Sequence, residues 1–423
     1  ASPALYGKNL SYELVDVISK RYQPLPVNTY LTALSTFAYT DENVKKTLES
    51  TWTTAYNTIL NCNVVLENID ESEGVLQEQE YRVLKGEMLA VRAFLHFDML
   101  RLFGPVYKLH PEAEAIPYNE SSKVVALPLM TADSVLHEKI LRDLDEAEEL
   151  LADRDPVIEN GPMASLEKDE EVYLRYRQLR MNYYAVLGLK ARICLYAKDV
   201  TAAYGAANEV ILAQQQKGLF PWVKTADITT TEANLRDRTF SSEHLFAFNT
   251  TKLEEYIKGY FREASLPLME RLMPGELYEA DDYRTALYET YSGFANVLTK
   301  FWQMDKAYVQ GQGNVTPKRN RMPAIRIAEM YYIAAEALKE SNIGEALEML
   351  NTLRVHRGLM KLENLDKDQL QEELGREYYR EFIGEGQVFF YHKRMNTSII
   401  ATANAVYVLP MPDDEIDLGQ REQ

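Results

Sequence analysis

One segment of this chain, residues 84–103, restricts the possible fold most, because it is apolar on almost every side of a helix. Apolar side chains recur there at intervals of three and four residues, the period of one helical face. That face carries Leu84, Met88, Val91, Leu95, Met99 and Leu102. The other sides carry Leu89, Phe94, Phe97 and Phe103. A helix without a polar face needs other elements around it, so the segment predicts a buried helix that ends at Gly104-Pro105.

Two later pairs of helices repeat one spacing of small residues. Each pair has alanine, leucine and alanine at intervals of four and eight positions, with a polar break between its helices. The residues are Ala191, Leu195 and Ala203 in the first pair and Ala334, Leu338 and Ala346 in the second. This arrangement is typical of tetratricopeptide-like hairpins. Further helices are predicted over residues 41–69, 131–152, 170–198, 200–216, 324–340, 343–357 and 366–383. The predicted fold class is therefore all-α.

Residues 219–322 lack this helical period. They include Phe220-Pro221-Trp222, a short strand-like run over residues 244–248, and Gly311-Gln312-Gly313-Asn314, which is typical of a loop. Near the C terminus, Pro410 and Pro412 exclude a helix interior, because proline lacks the backbone donor, so residues 408–412 are expected to be extended. We predict one domain over residues 1–423. Its parts are an N-terminal helical part (1–218), a loop-rich inserted lobe (219–322), and a C-terminal helical return with an extended tail (323–423).

The formal net charge of -18 restricts the partners of this chain. Such a charge repels phosphate backbones, which argues against nucleic acid. The densest acidic runs outside the predicted helices, Asp281-Asp282 and Asp413-Asp414-Glu415, are expected to be solvated. Cys62 and Cys194 lie in apolar helical runs and are expected to be buried free thiols.

Sequence motifs for catalysis, metals or nucleotides are missing. No two of the six histidines lie within five residues, and no phosphate-binding loop or Gly-x-Ser-x-Gly motif occurs. We therefore predict a protein that is not an enzyme and that needs neither a metal nor a cofactor. A pair of facing carboxylates, as in a helical glycosidase, stays open, because acids such as Glu146, Glu148, Glu372 and Glu373 can meet in space.

Aromatic residues, 11% of the chain, supply the candidate ligand contacts. Sugar rings bind to flat aromatic faces beside polar groups that fix their hydroxyls. Binding residues favour loops, and several aromatic and polar residues lie in predicted loops. The candidate ligand-binding residues are Trp222, Trp302, Tyr308, Asp305 and Arg319 in the inserted lobe, together with Trp52 in an early helix. Core packing is the alternative role for each aromatic ring.

Five segments carry recognisable strings in a fixed order. They are Trp52–Asn63, Gly86–Gly104, Lys190–Asp199, Arg326–Ala337 with Leu350–Arg354, and Glu385-Gly386 with Leu409–Pro412. In this order they resemble the SusD/RagB family of outer-surface binding lipoproteins. The chain departs from the family where an arginine and an aspartate usually follow Glu385-Gly386; Val388 and Tyr391 stand there instead. These departures concern the subfamily and its ligand more than the fold.

The resemblance implies a lipid-anchored receptor on the extracellular face of the outer membrane. The anchor itself would lie on an N-terminal cysteine that this chain does not contain. Members cover a TonB-dependent, SusC-like transporter and capture oligosaccharides or, in some cases, peptides. It also implies that Glu87, Arg92, Asp98 and Arg101 form structural ion pairs; Asp98 and Arg101 have the spacing to pair on one helical face. Glycan capture is the main expectation, with peptide capture, a helical glycosidase and a structural scaffold as alternatives.

Overall fold

The computed structural model describes residues 1–71, 75–123, 126–162, 174–231, 235–262, 266–269, 275–291, 295–302, 307–309, 313–315, 320–399, 406–419 and 421. The α-helices of this part of the chain are α1 Leu14–Ile18, α2 Thr29–Ser35, α3 Glu42–Ile69, α4 Glu78–Phe103, α5 Ala132–Ser134, α6 Leu141–Leu151, α7 Val157–Asn160, α8 Tyr183–Tyr196, α9 Val200–Lys217, α10 Thr225–Thr229, α11 Leu253–Ile257, α12 Ile327–Leu338, α13 Ile343–His356, α14 Lys367–Glu381, α15 Gln387–Met395 and α16 Asp413–Gly419. The strands are β1 Glu114–Ile116, β2 Met130–Thr131, β3 His244–Asn249, β4 Tyr288–Tyr291, β5 Ala295–Leu298, β6 Ala307–Val309, β7 Gly313–Val315 and β8 Arg321–Arg326. Short π and 3-10 turns lie between them at Val135–Ile140, Arg177–Leu179, Ser241–Glu243, Lys258–Arg262 and Tyr283–Leu287. The protein is thus mostly helical.

Helix α4 contains the predicted apolar segment and is buried along its C-terminal half. Helices α3 and α6 pack against it, and it ends at Gly104, whose amide donates to the Leu100 carbonyl at 3.0 Å. The predicted ion pairs are confirmed. Within α4, Asp98 pairs with Arg101. The other two residues join α4 to later segments, through Arg92 with Asp143 at 2.6 Å and Glu87 with Arg177.

The two predicted hairpins are α8 with α9 and α12 with α13, and α9 packs against α12. Ala191, Ala203, Ala334 and Ala346 are fully buried, so the small residues lie where the helices approach each other. Side-chain oxygens cap the helices, as at Asn342, which accepts a hydrogen bond from the Glu345 amide at 3.3 Å. The tetratricopeptide-like arrangement is confirmed.

Two predicted helices begin later than expected. The helix predicted from residue 170 begins at Tyr183, because the side chain of Asn182 caps it by accepting from the Ala185 amide at 3.1 Å. The helix predicted from residue 324 begins at Ile327, because the preceding residues form β8, which pairs antiparallel with β3. This strand pair lies close to α8: a Cβ on Gly188 would come within 3.0 Å of the Ile325 side chain.

The region predicted as an inserted lobe contains three strand pairs, including β4 with β5 and β6 with β7. Strands β3 and β8 come from its beginning and its end, and their pairing brings the two ends together. The loop prediction for Gly313 and Asn314 is wrong, because both residues lie in β7 opposite β6. The three-part division of the chain stays a prediction.

Residues 408–412 form neither helix nor strand and lie on the helical body; their extended conformation stays a prediction. Leu409 is buried, and its amide donates to the Leu102 carbonyl at 3.1 Å. The acidic run that begins at Asp413 is not a loop but the first turn of α16. Asp413 is exposed there and pairs with Lys45 at 2.9 Å.

Candidate functional site

Trp302 lies four residues after the end of β5. Its amide donates to the Thr299 carbonyl at 2.9 Å. The two residues before it, Lys300 and Phe301, are buried, whereas the indole of Trp302 is half-buried and packs against the main hydrophobic core. The ring therefore has a rigid base and a partly accessible surface.

Charged side chains hold the residues that precede Trp302 in place. The ammonium of Lys300 donates to the Ile383 carbonyl at 3.1 Å and pairs with Glu385. Glu385 also accepts from Nε of Arg326 at 2.9 Å. Burial lowers the pKa of Lys300; the carboxylate of Glu385 opposes this shift, and the charge of Arg326 adds to it. These groups stabilise one another, because a buried charge needs a partner.

Trp222 lies in a different aromatic cluster, beside the C-terminal hairpin. Its half-buried ring stacks on the exposed imidazole of His356 at 4.8 Å between centroids and 22° between planes. It also contacts Tyr331 at 5.1 Å and lies 5.6 Å from the guanidinium carbon of Arg357. Burial and the positive charge of Arg357 lower the pKa of His356. The exposed part of this cluster is a flat aromatic surface above a buried cation.

A buried ion network connects the supports of the two tryptophans. Arg326 donates to Glu381 at 2.5 Å, and Glu381 accepts from Arg357 at 2.7 Å. Arg357 also donates to Glu243 at 2.7 Å. The same carboxylate accepts a hydrogen bond at 3.1 Å from the amide of Val223, the residue after Trp222. The network thus runs from Lys300, through Glu385, to the base of Trp222.

This network is what the sequence reasoning missed. Asp282 was expected to be solvated, yet it is buried and bonds Arg284 at 2.7 Å. The prediction is wrong because Arg284, two residues further on, is itself buried against Glu377 and Glu381 of α14. The available signal was in α14, where Glu373, Glu377 and Glu381 recur every four residues and so share one face; all three are buried.

Trp52 lies in the core of the helical part. It is 4% exposed, and its ring packs against Tyr56 and Phe103 with centroid distances of 4.7 and 4.9 Å. So little accessible surface favours the packing role, and Trp52 and Trp222 belong to separate aromatic clusters.

The remaining candidates lie in the segment that follows Trp302. Tyr308 is on β6, opposite Asn314 of β7. Asp305 and Arg319 lie outside the described residues. The role of these residues in ligand binding therefore stays a prediction.

Within the described part of the chain, no group of three His, Cys, Asp or Glu residues is arranged to hold a metal ion. The helices of that part include none with the length and apolarity needed to span a membrane. Cys62 and Cys194 are free and buried, as predicted, and burial raises the pKa of each thiol to about 11.

Sequence and structure comparisons agree with each other. Residues 16–160 match a family model described as "Starch-binding associating with outer membrane", and residues 224–405 match the SusD family. Curated protein sequences give no significant match.

Several solved structures share the fold across almost the whole chain. A SusD superfamily protein from Bacteroides vulgatus matches with a TM-score of 0.77 and 21% identity, covering 100% of this chain and 94% of its own. A SusD-like carbohydrate binding protein from the same organism matches with a TM-score of 0.72 and 23% identity, covering 94% and 80%. A laminarin binding SusD-like protein matches with a TM-score of 0.71 and 18% identity, covering 99% and 96%.

Proposed function

Because this chain belongs to the SusD/RagB family, we propose that it captures a glycan at the cell surface and delivers it, uncleaved, to a TonB-dependent transporter. The observation that carries the proposal is the pair of family matches, which together extend over most of the chain. The first matched family is described as starch-binding and associated with the outer membrane. We accordingly propose the extracellular face of the outer membrane as its location, with a lipid anchor outside this chain and a SusC-like transporter as its partner.

The properties of related proteins support a glycan rather than another nutrient. One structural neighbour is described as carbohydrate binding and another as laminarin binding. Aromatic rings on rigid supports suit such ligands, because a preorganised flat face loses little entropy when a sugar stacks on it.

The proposed binding segment begins at Trp302 and continues through Tyr308, with Asp305 and Arg319 as polar contacts. Trp302 has the geometry such a contact requires, because its ring is partly accessible while its backbone is tied to buried neighbours. Trp222, on its stacked cluster, is proposed as a second, separate contact. Trp52 is left out of the proposed surface, since its ring is enclosed by the core.

A binding screen tests this function directly. Titration calorimetry with laminarin, starch and other plant and host glycans is expected to show saturable binding, and analysis of the glycans afterwards is expected to show no cleavage. Turnover of any glycan, removed by changing one carboxylate, would instead establish a glycosidase.

Peptide capture is the second candidate, favoured by the net charge of -18. An acidic surface attracts basic peptides, and that attraction weakens as salt screens it. Binding of a basic peptide mixture that disappears at high salt, with no glycan binding, would replace the glycan proposal with this one.

A further inference from the structure

A small cavity lies where α4, α8, α12, α14 and α15 meet. Its volume is ≈ 30 Å³, enough for two or three water-sized groups, since about 10–15 Å³ holds one. The polar residues of its wall include Arg101, Arg192, Tyr196, Glu329, Gln387 and Arg394. The rest of the wall is apolar and includes Phe97, Ile333 and Phe390, so the cavity has a polar and an apolar side within the helical body.

The arginines of this wall already have carboxylate partners. Both oxygens of Glu329 accept hydrogen bonds from Arg192 at 2.6 Å. The other two pairs are Arg394 with Glu336 and Arg101 with Asp98. The charges of the three arginines are therefore matched one for one, and the wall offers no carboxylate to a further donor.

Three donors on this wall remain unused. Nε of Arg101, Nη1 of Arg192 and the hydroxyl of Tyr196 are buried and have no hydrogen-bond partner within the described ranges. Their side chains are more than nine-tenths buried, with exposures of 2%, 7% and 3% respectively. A buried donor without an acceptor is unfavourable, and an arginine N–H can only donate. An acceptor in the cavity would satisfy these donors.

The surroundings favour a negatively charged acceptor. Lys393, adjacent to Arg394 in α15, is fully buried, and its ammonium donates to the Gly104 carbonyl at 2.7 Å. Within the part of the chain that is described, no carboxylate pairs with it. Burial lowers the pKa of Lys393, and the positive charge of Arg101 lowers it further. A negative charge nearby would relieve both effects.

We propose that this cavity binds one small monovalent anion of about the size of chloride, held by Arg101, Arg192 and Tyr196. Waters would also accept these hydrogen bonds, but only an anion adds a negative charge beside the buried side chains of Arg101 and Lys393. Because its donors come from α4 and α8, the bound anion links these two helices. This inference does not depend on the captured nutrient.

Crystals of the unaltered protein grown in sodium bromide test the proposal without a mutation. An anomalous bromide peak within hydrogen-bond distance of Arg101, Arg192 and Tyr196 is expected. A cavity that contains water alone under these conditions would overturn the proposal.

Thermal unfolding at constant ionic strength supplies a second test. Sodium chloride is expected to raise Tm over sodium gluconate, whose anion is too large for the cavity, by roughly 2 °C or more in a saturable manner. Equal Tm values in the two salts would contradict anion binding.

Two tyrosine variants locate the effect. Tyr196→Phe removes one donor and should reduce the chloride-dependent rise in Tm. Tyr12→Phe is the matched control, because Tyr12 is also fully buried with an unpartnered hydroxyl in the described part of the chain, but it does not line the cavity. The rise should be intact in Tyr12→Phe, and an equal reduction in both variants would contradict the assigned site.

Discussion

Arg357 donates a 2.7 Å hydrogen bond to Glu381, and both side chains are fully buried. The same guanidinium lies beneath the cluster of Trp222. Glu381 also accepts from Arg326, which continues through Glu385 toward the base of Trp302. One network of buried charges therefore supports both aromatic clusters, and its integrity can be tested separately from ligand binding.

Arg357→Met should destabilise the protein strongly. The change leaves Glu243 and Glu381 buried with one positive partner fewer, and breaking a buried ion pair on one side costs about 3–5 kcal/mol. Denaturant unfolding measures the loss. Lys361→Ala is the control, because Lys361 forms an exposed pair with Glu348 and such pairs contribute about 0–1 kcal/mol. Similar losses in the two variants would contradict a structural role for the network.

Acid should lower the stability of the protein, because it protonates Glu377 in α14. Burial alone would raise the pKa of Glu377, but Arg284 and Arg380 outweigh it and lower the pKa to about 2. A carboxylate with a lowered folded pKa contributes stability above its unfolded pKa of 4.5 and loses it as the pH falls toward about 2. The free energy of unfolding, measured from pH 7 to pH 3, should fall below about pH 4.5. In Glu377→Gln this fall should be smaller; an unchanged slope would count against the assignment.

Asp16 should have the opposite effect on the change of stability with pH. Its carboxylate is buried and accepts from the Gly384 amide at 2.6 Å. Burial raises the pKa of Asp16 to about 6, although Arg21 and the Gly384 amide oppose the shift. Because the folded pKa exceeds the unfolded value of 3.8, protonation between about pH 6 and pH 4 stabilises the fold. Asp16→Asn should remove this contribution and be more stable than the parent protein at pH 8 by on the order of 1–3 kcal/mol. Lower stability at pH 8 would show that the charged form is required.

Gly384→Ala should strain the support of Trp302. Gly384 has a φ of 75°, and a Cβ there would lie 2.6 Å from the ring of Phe301, so we expect a loss of about 2 kcal/mol or more. Gly205→Ala in α9 is the matched control, because no atom lies within 4 Å of its Cβ position. That change should stabilise the helix by about 0.5–1 kcal/mol. The two variants should shift Tm in opposite directions, and a neutral Gly384→Ala would contradict the packing described.

Trp302→Ala should weaken glycan binding without unfolding the protein. Loss of one stacked ring removes about 0.5–1.5 kcal/mol, or up to roughly tenfold in Kd, and Trp302→Phe should restore part of it. Tyr81→Ala is the control, because Tyr81 is a half-buried aromatic residue at the start of α4, where it bonds Asp70. Calorimetry measures the glycan affinity of each variant and of Trp222→Ala and Tyr308→Ala. The variants that lose affinity identify the residues that contact the glycan. Unchanged affinity in all three candidate variants would exclude the proposed site.

The sequence determined the helical architecture. Local periodicity and side-chain size are properties of neighbouring residues, so the buried helix α4 and the paired alanines of the two hairpins were predictable. The Asp98–Arg101 pair was predictable for the same reason, since three residues separate its members. The order of the five strings also indicated the family.

Only the tertiary structure decided the surroundings of the charges and rings. Glu381 meets Arg326 and Arg357 because distant segments fold together. Its own helix shows only that it shares a face with Glu373 and Glu377, not which cations that face meets. Trp52 and Trp222 are alike as sequence features, yet one is enclosed and the other is half-buried. Burial depends on packing between elements far apart in the chain, and local sequence does not contain that information.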